Sequence, residues 1–195
     1  KQLKDQKDVI QDIQLLSSQV ERCNEILKKL SLDPNQEDDF IDEDLAIRDY
    51  LRDIISSFKE TSNKEFILNL NQDLNSKKIT KSIEIVYGLR NFIGNANKFS
   101  LNKIFINLKS NANFTEVIIS DDGSGYPNDI LSKIGEPYLK SLKQKDKEKS
   151  GLGLGLFIGK TLLEKNFATL IFRNSEATGG AEVTIRWKNK DLFNL

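Results

Sequence analysis

Three groups of residues in this 195-residue chain have types and spacings that could do chemistry. The first is Asp121-Asp122-Gly123-Ser124-Gly125, which follows the apolar run Val117-Ile118-Ile119. That run predicts a strand, so Asp121 falls at a strand end. A carboxylate only accepts hydrogen bonds, which suits an exocyclic amino group such as that of adenine. Gly123 and Gly125 permit close backbone approach, although an Asp-Gly cluster alone also marks a plain turn. The second group is Gly151-Leu152-Gly153-Leu154-Gly155-Leu156, opening a helical pattern. Alternating glycines let successive N–H groups face one concavity, and a helix N-terminus adds positive potential, so phosphate is the natural guest. The spacing is not the G-x-G-x-x-G dinucleotide fingerprint. The third group is Asn91, Asn95 and Lys98 within Asn91-Phe-Ile-Gly-Asn95-Ala-Asn97-Lys98-Phe99. Four- and three-residue spacings put them on one helical flank. An amide oxygen is an acceptable ligand for Mg²⁺, and a lysine offers a point charge to a phosphate. Such a flank is equally an ordinary solvent-facing surface.

Composition narrows the chemistry. The chain contains no histidine, which excludes histidine-based catalysis, histidine-ligated metals and a self-contained phosphohistidine. Its single cysteine, Cys23, excludes a disulfide framework and a zinc cage and fits a reducing, cytoplasmic setting. Basic and acidic residues balance at 29 each, which argues against a general nucleic-acid binder. The charges are uneven, however, with an acidic stretch at 33–44 and a lysine-rich one at 140–149. No apolar run approaches membrane-spanning length. A chain without methionine that begins inside a helical pattern is expected to be part of a longer protein, with any membrane segment upstream.

The elements that must position these groups follow from periodicity. Val9, Ile13, Leu16, Val20, Cys23, Leu27 and Leu30 form a heptad seam on a helix over 4–31. Pro34 and the acids around it read as a linker. Helices are predicted at about 43–60, 81–99, 127–134 and 154–166, and strands from Phe66, at 103–109, 115–120, 168–174 and 182–188. Thr178-Gly-Gly punctuates the last hairpin. Strands clustered in hairpins favour an α+β, two-layer sandwich with a mixed sheet over a doubly wound parallel one.

In this order, the asparagine helix, the strand–Asp-x-Gly-x-Gly and the Gly-x-Gly-x-Gly–helix resemble the N, G1 and G2 boxes of the GHKL ATPase superfamily, over roughly residues 40–190. The resemblance implies the Bergerat ATP-binding fold, a mixed sheet covered by helices on one face. It implies ATP and Mg²⁺, with Asn95 on the metal and Lys98 at the phosphates. Asp121, Gly123 and Gly125 would then hold adenine, and Gly151 to Leu156 the phosphates. Residues 136–150 become an ATP lid, with Tyr138 where kinases often have phenylalanine. The hydrolysing members place a glutamate four residues before the metal-binding asparagine. That slot is Asn91 here, and an amide cannot act as a general base. Asparagine there resembles the sensor histidine kinases.

Ser17-Ser-Gln-Val-Glu-Arg-Cys-Asn-Glu-Ile-Leu, Ile134-Gly-Glu-Pro-Tyr138 and Gly151-Leu-Gly-Leu-Gly-Leu-Phe-Ile further resemble the RegB/PrrB-type redox-responsive kinases. The implied organisation is residues 1–32 as the second helix of a dimerisation and histidine-phosphotransfer domain, 33–42 as linker and 43–190 as catalytic domain. The implied partners are ATP, a response regulator and a second copy joined through the N-terminal helix, with the parent protein anchored in the bacterial inner membrane. Cys23 becomes a possible redox thiol, or a small buried hydrophobe on the seam. The alternatives are an ATP-hydrolysing GHKL switch and a non-enzymatic dimerising scaffold.

Overall fold

The computed structural model describes residues 46–70, 82–137 and 154–193. All of them belong to the unit Glu43–Leu195. The heptad helix, the acidic linker, Cys23, the polar connection after Leu70, Tyr138, the lysine-rich stretch and Gly151–Gly153 lie outside the described residues.

The predicted helices and strands form as α1 (Ile47–Lys59), β1 (Glu65–Leu70), α2 (Ile83–Phe99), β2 (Lys103–Ser110), β3 (Phe114–Asp121), α3 (Gly155–Lys165), β4 (Thr169–Asn174) and β5 (Ala181–Lys188). One expectation needs correction. The helix expected near 127–134 is only a 3₁₀ turn at Leu131–Lys133, set within successive i→i+3 turns from Pro127 to Glu136. The segment is too short to recover the cost of nucleating an α-helix, and Gly135 leaves it at φ +90°. A further short helix, α4 (Asn189–Leu192), went unforeseen. Its Asn189 closes the β2–β3 hairpin, donating from its backbone N–H to Asn113 O (2.8 Å) and from Nδ2 to Asn111 O (2.7 Å).

The sheet order is β1-β2-β3-β5-β4. Only β1 and β2 run parallel, because α2 crosses between them, and the remaining pairs are antiparallel. Register puts one alternating set on the same face: Phe66, Ile104 and Asp121 in one row, Ile106, Ile119, Val183 and Phe172 in the next, then Leu108, Val117, Ile185 and Leu170. That face joins the buried side of the helices in one core with Leu51, Leu89, Phe92 and Ile93. The opposite face carries cross-strand polar pairs, Arg173–Glu182 and Arg186–Glu116 as ion pairs and Asn69–Asn107 as an amide pair. The result is a mixed sheet with a helical layer on one side, an α+β sandwich.

Helix α2 is the central helix. Ser82 caps it, its Oγ accepting from Ile85 N–H (3.3 Å). Two glycines set its distance from α3. A methyl at Gly88 would lie 2.5 Å from Leu163 Cγ, and one at Gly159 would lie 3.0 Å from the Phe92 ring and 3.1 Å from Asn91 Cβ. These contacts run in opposite directions along the two chains, so the helices pack antiparallel at close range. Gly88→Val should therefore destabilise the fold by about 1–3 kcal/mol through overpacking. Urea unfolding of Gly88→Val, Leu163→Ala and the double variant should give a double loss smaller than the two single losses added. Simple additivity would deny the contact.

Candidate functional site

Asp121 ends β3 with 2% of its surface exposed. One carboxylate oxygen, Oδ1, accepts from Gly123 N–H (2.8 Å) and Ala181 N–H (3.3 Å). Two glycines make room for it. A side chain at Gly123 would overlap the Phe99 carbonyl and press on Asp121 Oδ1, and one at Gly180 would overlap both the backbone and the carboxylate of Asp121. Gly180 is the residue that sequence reasoning missed. Its only signal was Thr178-Gly-Gly, which looks like hairpin punctuation and says nothing of a carboxylate 59 positions earlier. Burial pushes the Asp121 carboxyl above the ordinary carboxylate range, partly offset by the two N–H donors. Neighbouring Asp122 is held low. Some burial opposes its charge, but backbone N–H groups outweigh it, and Leu101 and Asn102 both donate to its carboxylate (2.8 and 2.9 Å).

Gly125 stands at φ +75°, in the left-handed region. It leads into Tyr126, a buried ring whose hydroxyl titrates well above its usual range, first through burial and then through the charge of Asp121. Tyr126 meets Phe172 edge-on at 6.2 Å between centroids, and Phe172 lies 5.9 Å from Phe92 of α2. Tyr126, Ile134 and Ala181 form a small apolar cluster, against which Leu156 and Phe172 pack. Leu156 and Phe172 also pack against the main core. Apolar contacts thus connect the Asp121 loop, the α2 flank and the start of α3.

On that flank Asn91 is half-buried and donates from Nδ2 to Tyr87 O (2.9 Å). Its Oδ1 would lie 3.6 Å from a methyl at Gly155, so the first turn of α3 faces this amide. Asn95 follows one turn later, also half-buried, and Lys98 follows at the exposed end, its Nζ 5.3 Å from the Phe99 ring centroid. Leu154 precedes α3 without a side-chain cap, and no acid occupies the first turn. Among the described residues no side chain caps the opening N–H groups of α3, an arrangement that accommodates an anion. The structure brings Asn91 and Gly155 together, and the next residue, Leu156, packs in one cluster with Tyr126 and Phe172, the rings beside the Asp121–Gly125 turn. Among the described residues no group of three His, Cys, Asp or Glu side chains could hold a metal. A cation here would depend on an amide such as Asn95 and on oxygens brought by a ligand, which suits Mg²⁺ with its preference for water and phosphate.

The chain belongs to the histidine kinase-, DNA gyrase B- and HSP90-like ATPase family, whose model matches residues 80–191. It is 31% identical over 182 residues to the sensor histidine kinase RegB of Cereibacter sphaeroides, covering 89% of this chain and 39% of that protein. The chain thus spans well under half the length of this relative. Its fold is similar to that of the mycobacterial sensor histidine kinase MprB, with a TM-score of 0.62 and 19% identity over 73% of this chain and 95% of that one. Full-length ShkA, solved in complex with AMPPNP, superposes with a TM-score of 0.60 and 22% identity over 75% of this chain and 31% of that one. Among the described residues no helix is long and apolar enough to cross a membrane.

A buried acid with a raised pKa binds more protons folded than unfolded between the two pKa values. Its contribution to stability therefore falls as pH rises through that window and is lost above it. Asp121→Asn should be at least as stable as the parent chain at pH 7. Its advantage should shrink by pH 3, where the parent carboxyl is protonated in both states. Urea unfolding at both pH values checks this, and a variant less stable at pH 7 than at pH 3 relative to the parent would contradict it.

Proposed function

We propose that this chain is the ATP-binding catalytic part of a two-component sensor histidine kinase, donating the γ-phosphoryl group of ATP to a histidine that the chain itself does not contain. The observation that carries this reading is Asn91. It occupies the point where the first turn of α3 meets α2, and its amide is already engaged with Tyr87 O. Amides do not accept a proton from water, so the site favours holding ATP over hydrolysing it. The sensor-kinase identity of the relatives supports the same reading, as does the nucleotide analogue bound to ShkA.

In this reading the free Asp121 oxygen accepts from the adenine amino group, while Gly123, Gly125 and Gly180 keep the surrounding backbone close. The N–H groups at Gly155 and Leu156, with Gly151–Leu154 before them, face the phosphates. Asn95 supplies an oxygen to Mg²⁺, Lys98 a charge to the phosphates, and Tyr138 is a further nucleotide-binding residue. Mg²⁺ held by Asn95 would supply neutralisation of phosphate charge. Residues 1–32 serve as a dimerisation helix, 33–42 as linker and 43–190 as the nucleotide domain. A response regulator receives the phosphoryl group from the histidine, and the whole protein is anchored in the inner membrane; Cys23 is either a redox thiol or a small hydrophobe on the helix seam.

Calorimetric titration with Mg·ATP should show one site per chain and little turnover. Asp121→Asn should weaken binding by about 1.5–3 kcal/mol, the range for a charge-assisted hydrogen bond. Asn91→Glu should raise magnesium-dependent hydrolysis above that of the parent. Rapid turnover by the parent chain would favour the hydrolysing switch, and absence of binding with the chain folded would favour the scaffold.

A further inference from the structure

We propose that Asn174 is a positioning residue for the base end of this site, acting through the Gly123–Gly125 turn. The proposal rests on the nucleotide reading above and adds a residue to it. Asn174 is the last residue of β4, an edge strand, and its ladder partner on β5 is Ala181. Its Oδ1 accepts from Tyr126 N–H (2.6 Å) and its Nδ2 donates to Tyr126 O (3.0 Å). A side-chain amide is the group that offers an acceptor and a donor side by side as a peptide does. Tyr126 is therefore paired as though another strand ran beside it, although the chain there is a loop.

The clamp is tightly fitted. A methyl at Gly125 would lie 2.7 Å from Asn174 Oδ1, so the amide rests directly against the left-handed glycine. The other end of the turn is fixed by Asp121, which accepts from Gly123 N–H, and by Asp122, which accepts from Leu101 and Asn102 N–H. Asn174 is thus the polar tether at the downstream end, and the Tyr126–Phe172 ring contact is the apolar one. Phe172 lies two residues before Asn174 on β4, and Ala181, paired with Asn174 across the ladder, donates its N–H to Asp121. A shift of the end of β4 would move the glycine turn and the donor to the carboxylate together. One donor and one acceptor of the amide are engaged with Tyr126, and through them Asn174 acts on the turn.

The test is Asn174→Ala in the full chain, measuring Mg·ATP and Mg·GTP affinity by competition alongside the melting temperature. Loss of the clamp should weaken ATP about tenfold, the scale of one or two hydrogen bonds, and leave GTP as in the parent, so that the preference for adenine narrows. Asn174→Asp keeps the acceptor toward Tyr126 N–H and should fall between the two. It also serves if the alanine variant does not fold. Unchanged ATP affinity, or parallel weakening of ATP and GTP as partial unfolding would give, overturns the proposal. A parent chain that binds neither nucleotide overturns the functional reading itself, an outcome that no result on the variants can imitate.

Discussion

A carboxylate kept inside the protein at the end of a strand is the constraint around which the rest is arranged. Asp121 is nearly inaccessible, and two N–H groups satisfy only one of its oxygens. Burial of a charge on these terms opposes stability, and the upward displacement of its pKa expresses that cost. The fold accepts it by removing side chains at Gly123 and Gly180, which lets two backbone segments close on the carboxylate. A feature that weakens the folded state but is built with this much support is characteristic of a functional position.

The second requirement is to bring a helix N-terminus to the same neighbourhood. The close antiparallel packing of α2 on α3 does this through Gly88 and Gly159, and it sets Asn91 opposite Gly155. Rings then join the two halves, from Phe92 to Phe172 to Tyr126. Polar groups that contribute nothing to the core are thus held in place by apolar contacts that do.

Much of the layer architecture was legible in the chain. Val117-Ile118-Ile119 announced the strand that ends at Asp121, the hairpins announced a mixed sheet, and the spacing of Asn91, Asn95 and Lys98 announced a common flank. These signals are local, and alternation or helical period records them directly. The short segment after Gly125 was misjudged, since a few apolar residues satisfy helical spacing without enough length to sustain a helix. Gly180 and Asn174 were invisible for a different reason. Their partners lie 59 and 48 positions away, and a glycine or asparagine in a hairpin looks the same whether it serves the turn or a distant group. Gly88 and Gly159 were missed likewise, because helix-to-helix distance is written in pairs of positions on separate helices.

The most direct test is whether one ligand reaches all of these groups at once. In ¹H–¹⁵N spectra of the full chain titrated with Mg·ATP, the account predicts that the backbone resonances of Asp121, Gly123, Gly180, Asn95, Gly155 and Leu156 move along a single saturation curve. Shifts confined to one of the three groups, or separate curves for the strand end and the helix start, would contradict it.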